Sequence, residues 1–176
     1  MRYFMIGIAV LAYCATGIAA EVTFNLDRCV ILNSNSDTRA ETKIALHFAL
    51  PQELDSAEVI YAELFFTLPP MRLVEDSLFE LRLYPLLAEW QEDGIDYDES
   101  ETITDSMDAC VYTVRLGNIN DIKLDLTSFL QQVIGVERQN FGLIAVADLL
   151  GDASLRLPES LHLPIREQAR VKLIYK

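Results

Sequence analysis

Val59-Ile60-Tyr61-Ala62-Glu63-Leu64-Phe65-Phe66-Thr67-Leu68-Pro69-Pro70 decides the fold class. Ile60, Ala62, Leu64, Phe66 and Leu68 alternate with Val59, Tyr61, Glu63, Phe65 and Thr67. That is the period of a strand with one buried face, and the proline pair ends it because proline cannot donate to a ladder. Upstream, Ile44, Leu46, Phe48 and Leu50 share a face opposite Lys43, Ala45, His47 and Ala49, and Pro51 closes the run. Downstream, Phe79, Leu81 and Leu83 alternate with Glu80, Arg82 and Tyr84. Cys110, Tyr112, Val114 and Leu116 follow, then Ile122, Leu124 and Leu126 with Lys123 and Asp125 facing outward. Phe141 to Ala147 is apolar on both faces, as in a strand buried within packed sheets, and Val171, Leu173 and Tyr175 alternate with Arg170 and Lys172 at the end.

With shorter pieces at Val22 to Leu26, Cys29 to Leu32 and Ser154 to Leu157, about ten strands are predicted. A single open sheet would leave too much apolar surface wet, so the expected class is all-β, a two-sheet antiparallel sandwich. One short helix is expected over Thr127 to Gly135. Thr127 would cap it, Phe129, Leu130, Val133 and Ile134 would form its apolar stripe, and Gly135 would take the left-handed C-terminal position. A further helical turn fits Leu86 to Glu92, with Leu86, Leu87 and Trp90 pointing inward.

Composition bounds the partners. The 176 residues are 51% apolar, which supplies a core, and 7 Gly and 6 Pro leave no low-complexity linker. The formal charge of −13 argues against nucleic acid and anionic membranes, whose recognition needs clustered Lys and Arg.

Met1-Arg2 is a short positive head, Tyr3 to Tyr13 is apolar without interruption, and small residues lead to Ala19-Ala20 before Glu21. This pattern predicts a secretory signal peptide over 1–20 and a single domain over 21–176, located at the cell surface, in the periplasm or outside the cell. The apolar run is too short to span a membrane, so no integral membrane segment is expected after cleavage. A lipid anchor at Cys14 is the alternative, opposed by bulky Tyr13 where a small residue is required. Loss of 1–20 removes Arg2 alone among the charged residues, leaving 13 Lys and Arg against 27 Asp and Glu, a charge of −14. Cys29 and Cys110 survive cleavage. In an oxidising compartment they are read either as a disulfide, stabilising by on the order of 4 kcal/mol, or as two separate buried thiols.

Thr42 to Pro51 followed by Val59 to Leu64 resembles the opening of DNRLRE-type domains, jelly-roll modules of secreted and cell-surface proteins. Leu81-Arg82-Leu83-Tyr84-Pro85-Leu86 running into Glu89-Trp90-Gln91-Glu92 looks like that family's strand leading to a tryptophan. Leu124-Asp125-Leu126-Thr127 is similar to its helix start, and Asn140-Phe141-Gly142-Leu143 and Arg170 to Tyr175 to its last core strands. The pattern is shared with propeptides of transforming-growth-factor-like proteins. No segment reads DNRLRE literally, and Gln131-Gln132-Val133-Ile134 stands where a tryptophan is usual. The resemblance implies a jelly roll and an extracellular interaction or structural role, with a protein or a glycan as partner.

Carbohydrate binding, which some such modules perform, would need exposed aromatic platforms, for which Trp90 and Tyr97 are the candidates. Trp90 packed beside Leu86 and Leu87 is the competing reading. The negative charge repels anionic polysaccharides and leaves a neutral glycan permissible. In the acidic stretch from Glu89 to Asp108, Asp93, Asp96 and Asp98 around Gly94 are candidate Ca²⁺ ligands, but the one-three-five spacing of a calcium loop is missing and a solvated acidic loop is the stronger reading. No HExxH, GxSxG or CxxC spacing occurs, and the two histidines, His47 and His162, are far apart, so no enzyme is expected.

Overall fold

The computed structural model describes residues 19–34, 42–68, 78–105, 110–115, 120–149 and 162–176. Nine strands lie among them: β1 (Ala20–Asn25), β2 (Arg28–Asn33), β3 (Thr42–His47), β4 (Val59–Leu68), β5 (Leu78–Pro85), β6 (Cys110–Arg115), β7 (Asn120–Asp125), β8 (Leu143–Leu149) and β9 (Arg170–Tyr175). They form a four-stranded sheet in the order β1-β9-β4-β7 and a five-stranded sheet in the order β2-β3-β8-β5-β6. Every neighbouring pair is antiparallel. The expected strand at Ser154 to Leu157 lies outside the described residues.

Alternation explains how the two sheets close on each other. Ala62, Leu64 and Phe66 of β4, Ile122 and Leu124 of β7, and Val171 and Leu173 of β9 are all but fully buried. They meet Cys29, Ile31, Ile44, Leu46, Leu81, Leu83, Leu143 and Ala145 of the other sheet in one cluster. This is the expected all-β sandwich core. One expected position fails. The β4–β9 register slips between Val59 and Tyr61, so Val59 turns into the core while Ile60 is 42% exposed. An extra residue at a bulge reverses the alternation, which the unpaired strand does not reveal.

The expected helix is α2 (Thr127–Ile134), and Phe129, Leu130 and Ile134 bury its stripe, each contributing roughly 1.5–3 kcal/mol. Its ends differ from expectation. Leu126, not Thr127, occupies the N-cap, because Thr127 Oγ1 instead accepts a hydrogen bond from the Ala62 amide at 3.0 Å and docks the helix on β4. Gly135 keeps a negative φ of −70°, and Val136 takes the left-handed position at φ 62°. No helical turn forms over Leu86 to Glu92: Leu86 bridges to Thr104, and Leu87 is 53% exposed. Two helices appear where none was expected. The first, α1 (Tyr97–Thr102), is capped by Asp96, whose side chain accepts from the Glu99 amide at 2.7 Å. The second, α3 (His162–Gln168), tolerates Pro164 in its first turn, where no amide is needed, and anchors through Ile165.

Candidate functional site

The sandwich has two outer faces, and the chain treats them differently. On the five-stranded sheet, Leu32, Ala45 and Ile144 point away from the main core yet are buried, because the segment 86–105 folds over them with Leu86, Trp90 and Ile95. The acidic stretch is therefore a packed cover along part of its length, not only a solvated excursion. Its apolar side chains seal the sheet, most of its carboxylates are exposed, and Glu92 and Asp105 are turned to partners elsewhere in the chain.

Trp90 belongs to that cover. It is 4% exposed, its Nε1 donates to the Phe141 carbonyl at 2.8 Å, and the Arg28 guanidinium lies 5.1 Å from its ring and donates to the Trp90 carbonyl. It presents no face on which a sugar could stack, which corrects its candidacy as a ligand platform. Tyr97 is half-buried in the same cluster, and its ring sits 3.6 Å from Lys43 Nζ. Lys43 is buried beneath α1, where it donates to the Tyr97 carbonyl at 3.3 Å, Ser100 Oγ at 3.3 Å and Glu101 Oε1 at 3.0 Å. A buried ammonium satisfied three ways and stacked on an aromatic ring is a fastener for α1.

Asp93, Asp96 and Asp98 do not converge. Asp96 is spent on capping α1, Asp93 and Asp98 are exposed, and among the described residues no group of three or more His, Cys, Asp or Glu is placed to hold a metal. The expected calcium ligands thus form no cradle.

Cys29 and Cys110 are not paired. Cys29 is a free, buried thiol on edge strand β2, and Cys110 opens β6 at the other edge of the same sheet. Four strand spacings of about 4.8 Å separate those edges, far beyond the ~7 Å limit between Cα atoms for a bridge. Burial, then the Glu92 carboxylate, pushes the Cys29 thiol up to about 12, with Arg166 opposing. Glu92 Oε1 also accepts from the Cys29 amide at 2.9 Å and from Arg166 at 3.2 Å, tying the cover to β2 and α3. Among the other candidates for chemistry, His47 Nδ1 lies 2.7 Å from Asp27 Oδ1 and its Nε2 3.3 Å from the Asn140 carbonyl, which joins three chain segments. His162 opens α3.

The four-stranded sheet is different. Opposite its core-facing residues, β4 presents Tyr61, Glu63, Phe65 and Thr67, none of them buried. The ladder sets these in rows: Glu21, Ile174 and Tyr61; then Thr23, Lys172, Glu63 and Asp125; then Asn25, Arg170, Phe65 and Lys123. Lys172 pairs with Glu21 at 3.0 Å, Tyr61 donates to Glu63 Oε2 at 2.9 Å, Thr67 donates to Asp121 Oδ1 at 2.7 Å, and Lys123 Nζ lies 5.8 Å from the Phe65 ring. The hydrogen bond to Glu63 raises the Tyr61 phenol above its usual range. Four carboxylates (Glu21, Glu63, Asp121, Asp125) face three cations (Lys123, Arg170, Lys172), a near balance on a chain of charge −13. Two aromatic rings amid balanced, hydrogen-bonded charges suit recognition of another surface. The Tyr61-x-Glu63-x-Phe65-x-Thr67 spacing already carried this row, since it is the polar half of the alternation that defines β4.

Among the described residues no helix is long and apolar enough to cross a membrane. No protein-family model and no curated protein matches the chain.

Proposed function

We propose that the protein is a secreted, non-catalytic interaction module of the cell surface or extracellular space, and that it docks through the outer face of its four-stranded sheet. One observation carries this reading: among the described residues the 86–105 segment covers one sheet, while on the other Tyr61 is exposed and Phe65 and Ile174 are only partly buried. Export rests on the apolar leader before Glu21, with 21–176 as the working domain. The strand orders β1-β9-β4-β7 and β3-β8-β5-β6, with β2 added at one edge, support a jelly roll and with it the DNRLRE-type kinship. A neutral glycan is the second reading, favoured by the near balance of charge around Tyr61 and Phe65, and it moves the aromatic platform away from Trp90.

The test is co-sedimentation of the 21–176 form with envelopes of the cells that make it. Phe65→Ser and Tyr61→Ser are expected to abolish binding while leaving the melting midpoint within a few degrees. Undiminished binding of both variants removes the face from consideration. Prior trypsin treatment of the envelopes is expected to abolish binding, whereas loss on periodate oxidation alone selects the glycan reading. Export is checked by the N-terminal mass of the protein outside the cytoplasm, expected to start at or within a residue of Glu21; a retained Met1 refutes it.

A further inference from the structure

At the end of the sandwich closed by α2, a cleft of about 310 Å³ lies between the C-terminal end of that helix and the 3₁₀ turn Gln52–Leu54. Leu54 and Ile134 form its buried floor, and Leu50, Pro51 and Val133 its partly exposed walls. Its two lips carry Ser56 at φ 72° and Val136 at φ 62°, the only non-glycine residues with positive φ among those described. Val136 is 88% exposed. A β-branched residue is poorly suited to this backbone conformation, and at such exposure its side chain recovers nothing by packing within the chain. Glycine would hold the same turn with less strain. Valine at this lip therefore lowers the local stability of the chain, as expected where the side chain serves a contact.

Charge identifies what fits. Glu53, Asp55, Glu58 and Glu137 stand exposed in the two segments that form the lips. The neighbouring cations are Lys176, backbone-paired with Glu58, and Arg138, held by Asp105 and Gln132. We infer that the cleft receives an apolar side chain carried on a cationic, amphipathic segment of an extracellular partner protein. Attraction to the carboxylates brings the segment in, and Leu54, Ile134 and Val136 take up its apolar side chain. A second copy of this chain, at charge −13, and an anionic lipid surface would both be repelled. The site is independent of the sheet face described above.

The probe is a labelled helical peptide of leucine and lysine at amphipathic spacing, titrated by fluorescence anisotropy against three relatives in which alanine replaces leucine, glutamate replaces lysine, or glutamine replaces lysine. The leucine–lysine peptide is expected to bind at least tenfold more tightly than each relative. Val136→Gly is expected to weaken it at least tenfold while the melting midpoint stays equal or rises, and Asp55→Asn with Glu137→Gln to weaken it and flatten its salt dependence. Equal binding of the alanine–lysine peptide means charge attraction alone and overturns the proposal. So does unchanged affinity in Val136→Gly. Equal binding of the glutamine peptide assigns the cleft to apolar ligands at large and overturns the cationic partner. Loss of binding in Phe65→Ser but not in Val136→Gly transfers the contact to the sheet face.

Discussion

Replacing Gly142 by alanine tests how closely β3 and β8 approach. Gly142 has φ +92°, and an added Cβ would overlap the Leu46 carbonyl oxygen and lie 3.2 Å from Leu46 C and 3.3 Å from His47 Cα, all backbone of β3. Backbone cannot swing aside as a side chain can. The left-handed conformation costs alanine about 1–2 kcal/mol. Relieving the overlap requires β8 to retreat from β3 beside the Leu46–Leu143 pair, which loosens one or two ladder hydrogen bonds at about 1 kcal/mol each and disturbs the packing of both leucines. The expected loss is about 3–5 kcal/mol, a large share of the ~5–15 kcal/mol typical of a domain. Urea unfolding followed by Trp90 fluorescence reads it: with a slope of about 1–3 kcal/mol per molar, the midpoint should fall by roughly 2 M. Gly94→Ala is the matched control. Its added Cβ would meet only Gln91 Cβ at 3.7 Å and Gln91 O at 4.0 Å, so a change within about 0.5 kcal/mol is expected. A Gly142→Ala loss below about 1 kcal/mol, or a Gly94→Ala loss as large as that at Gly142, refutes the close approach.

Further outcomes follow from three buried polar groups. Cys29 should resist iodoacetamide at pH 8 in the folded protein and label once unfolded, read by peptide mass spectrometry; a Cys29–Cys110 bridged peptide would contradict the placement of their strands at opposite edges. Because the folded thiol is held near 12 against 9.0 unfolded, its contribution is complete below pH 9 and is lost as pH rises toward 12. At about 1.4 kcal/mol per unit that loss is on the order of 4 kcal/mol, and in Cys29→Val the alkaline slope of stability should flatten. Lys43→Ala should cost about 2–3 kcal/mol and open the 90–105 segment to limited proteolysis, while Lys43→Met, which keeps the buried stem, should recover at least half; equal loss in both would mean that the ammonium bonds dominate over packing. Trp90→Phe should cost about 1–3 kcal/mol by leaving the Phe141 carbonyl without its donor, and a neutral midpoint shift would show that this bond contributes nothing net.

The sandwich was legible because strand alternation is local: Leu64 and Phe66 announce a buried face whatever lies across from them. The same locality explains each miss. Alternation alone places Ile60 in the core, because the bulge that expels it exists only once β4 pairs with β9. Leu86, Trp90, Ile95 and Ile103 fall at spacings of four, five and eight residues, and although the first is helical no single strand or helix period joins all four, so their joint use as a cover left no periodic trace amid the carboxylates. The signal that was present lay on the partner side, in the apolar residues on both faces of Phe141 to Ala147, whose outer row had to be covered by something. α1 was missed although Asp96 and Glu99 have N-cap spacing, because its stability comes from Lys43, more than fifty residues earlier.

By itself, then, the sequence determined what depends on neighbours along the chain: the strand period, the apolar stripe of α2, the leader pattern and the acidic balance. The tertiary structure alone decided which outer face is covered, that Cys29 and Cys110 stand four strands apart, that Trp90 is core, and that Tyr61 and Phe65 remain outside. Those are distances between residues remote in sequence, set by strand order, and no local propensity encodes the order in which strands meet.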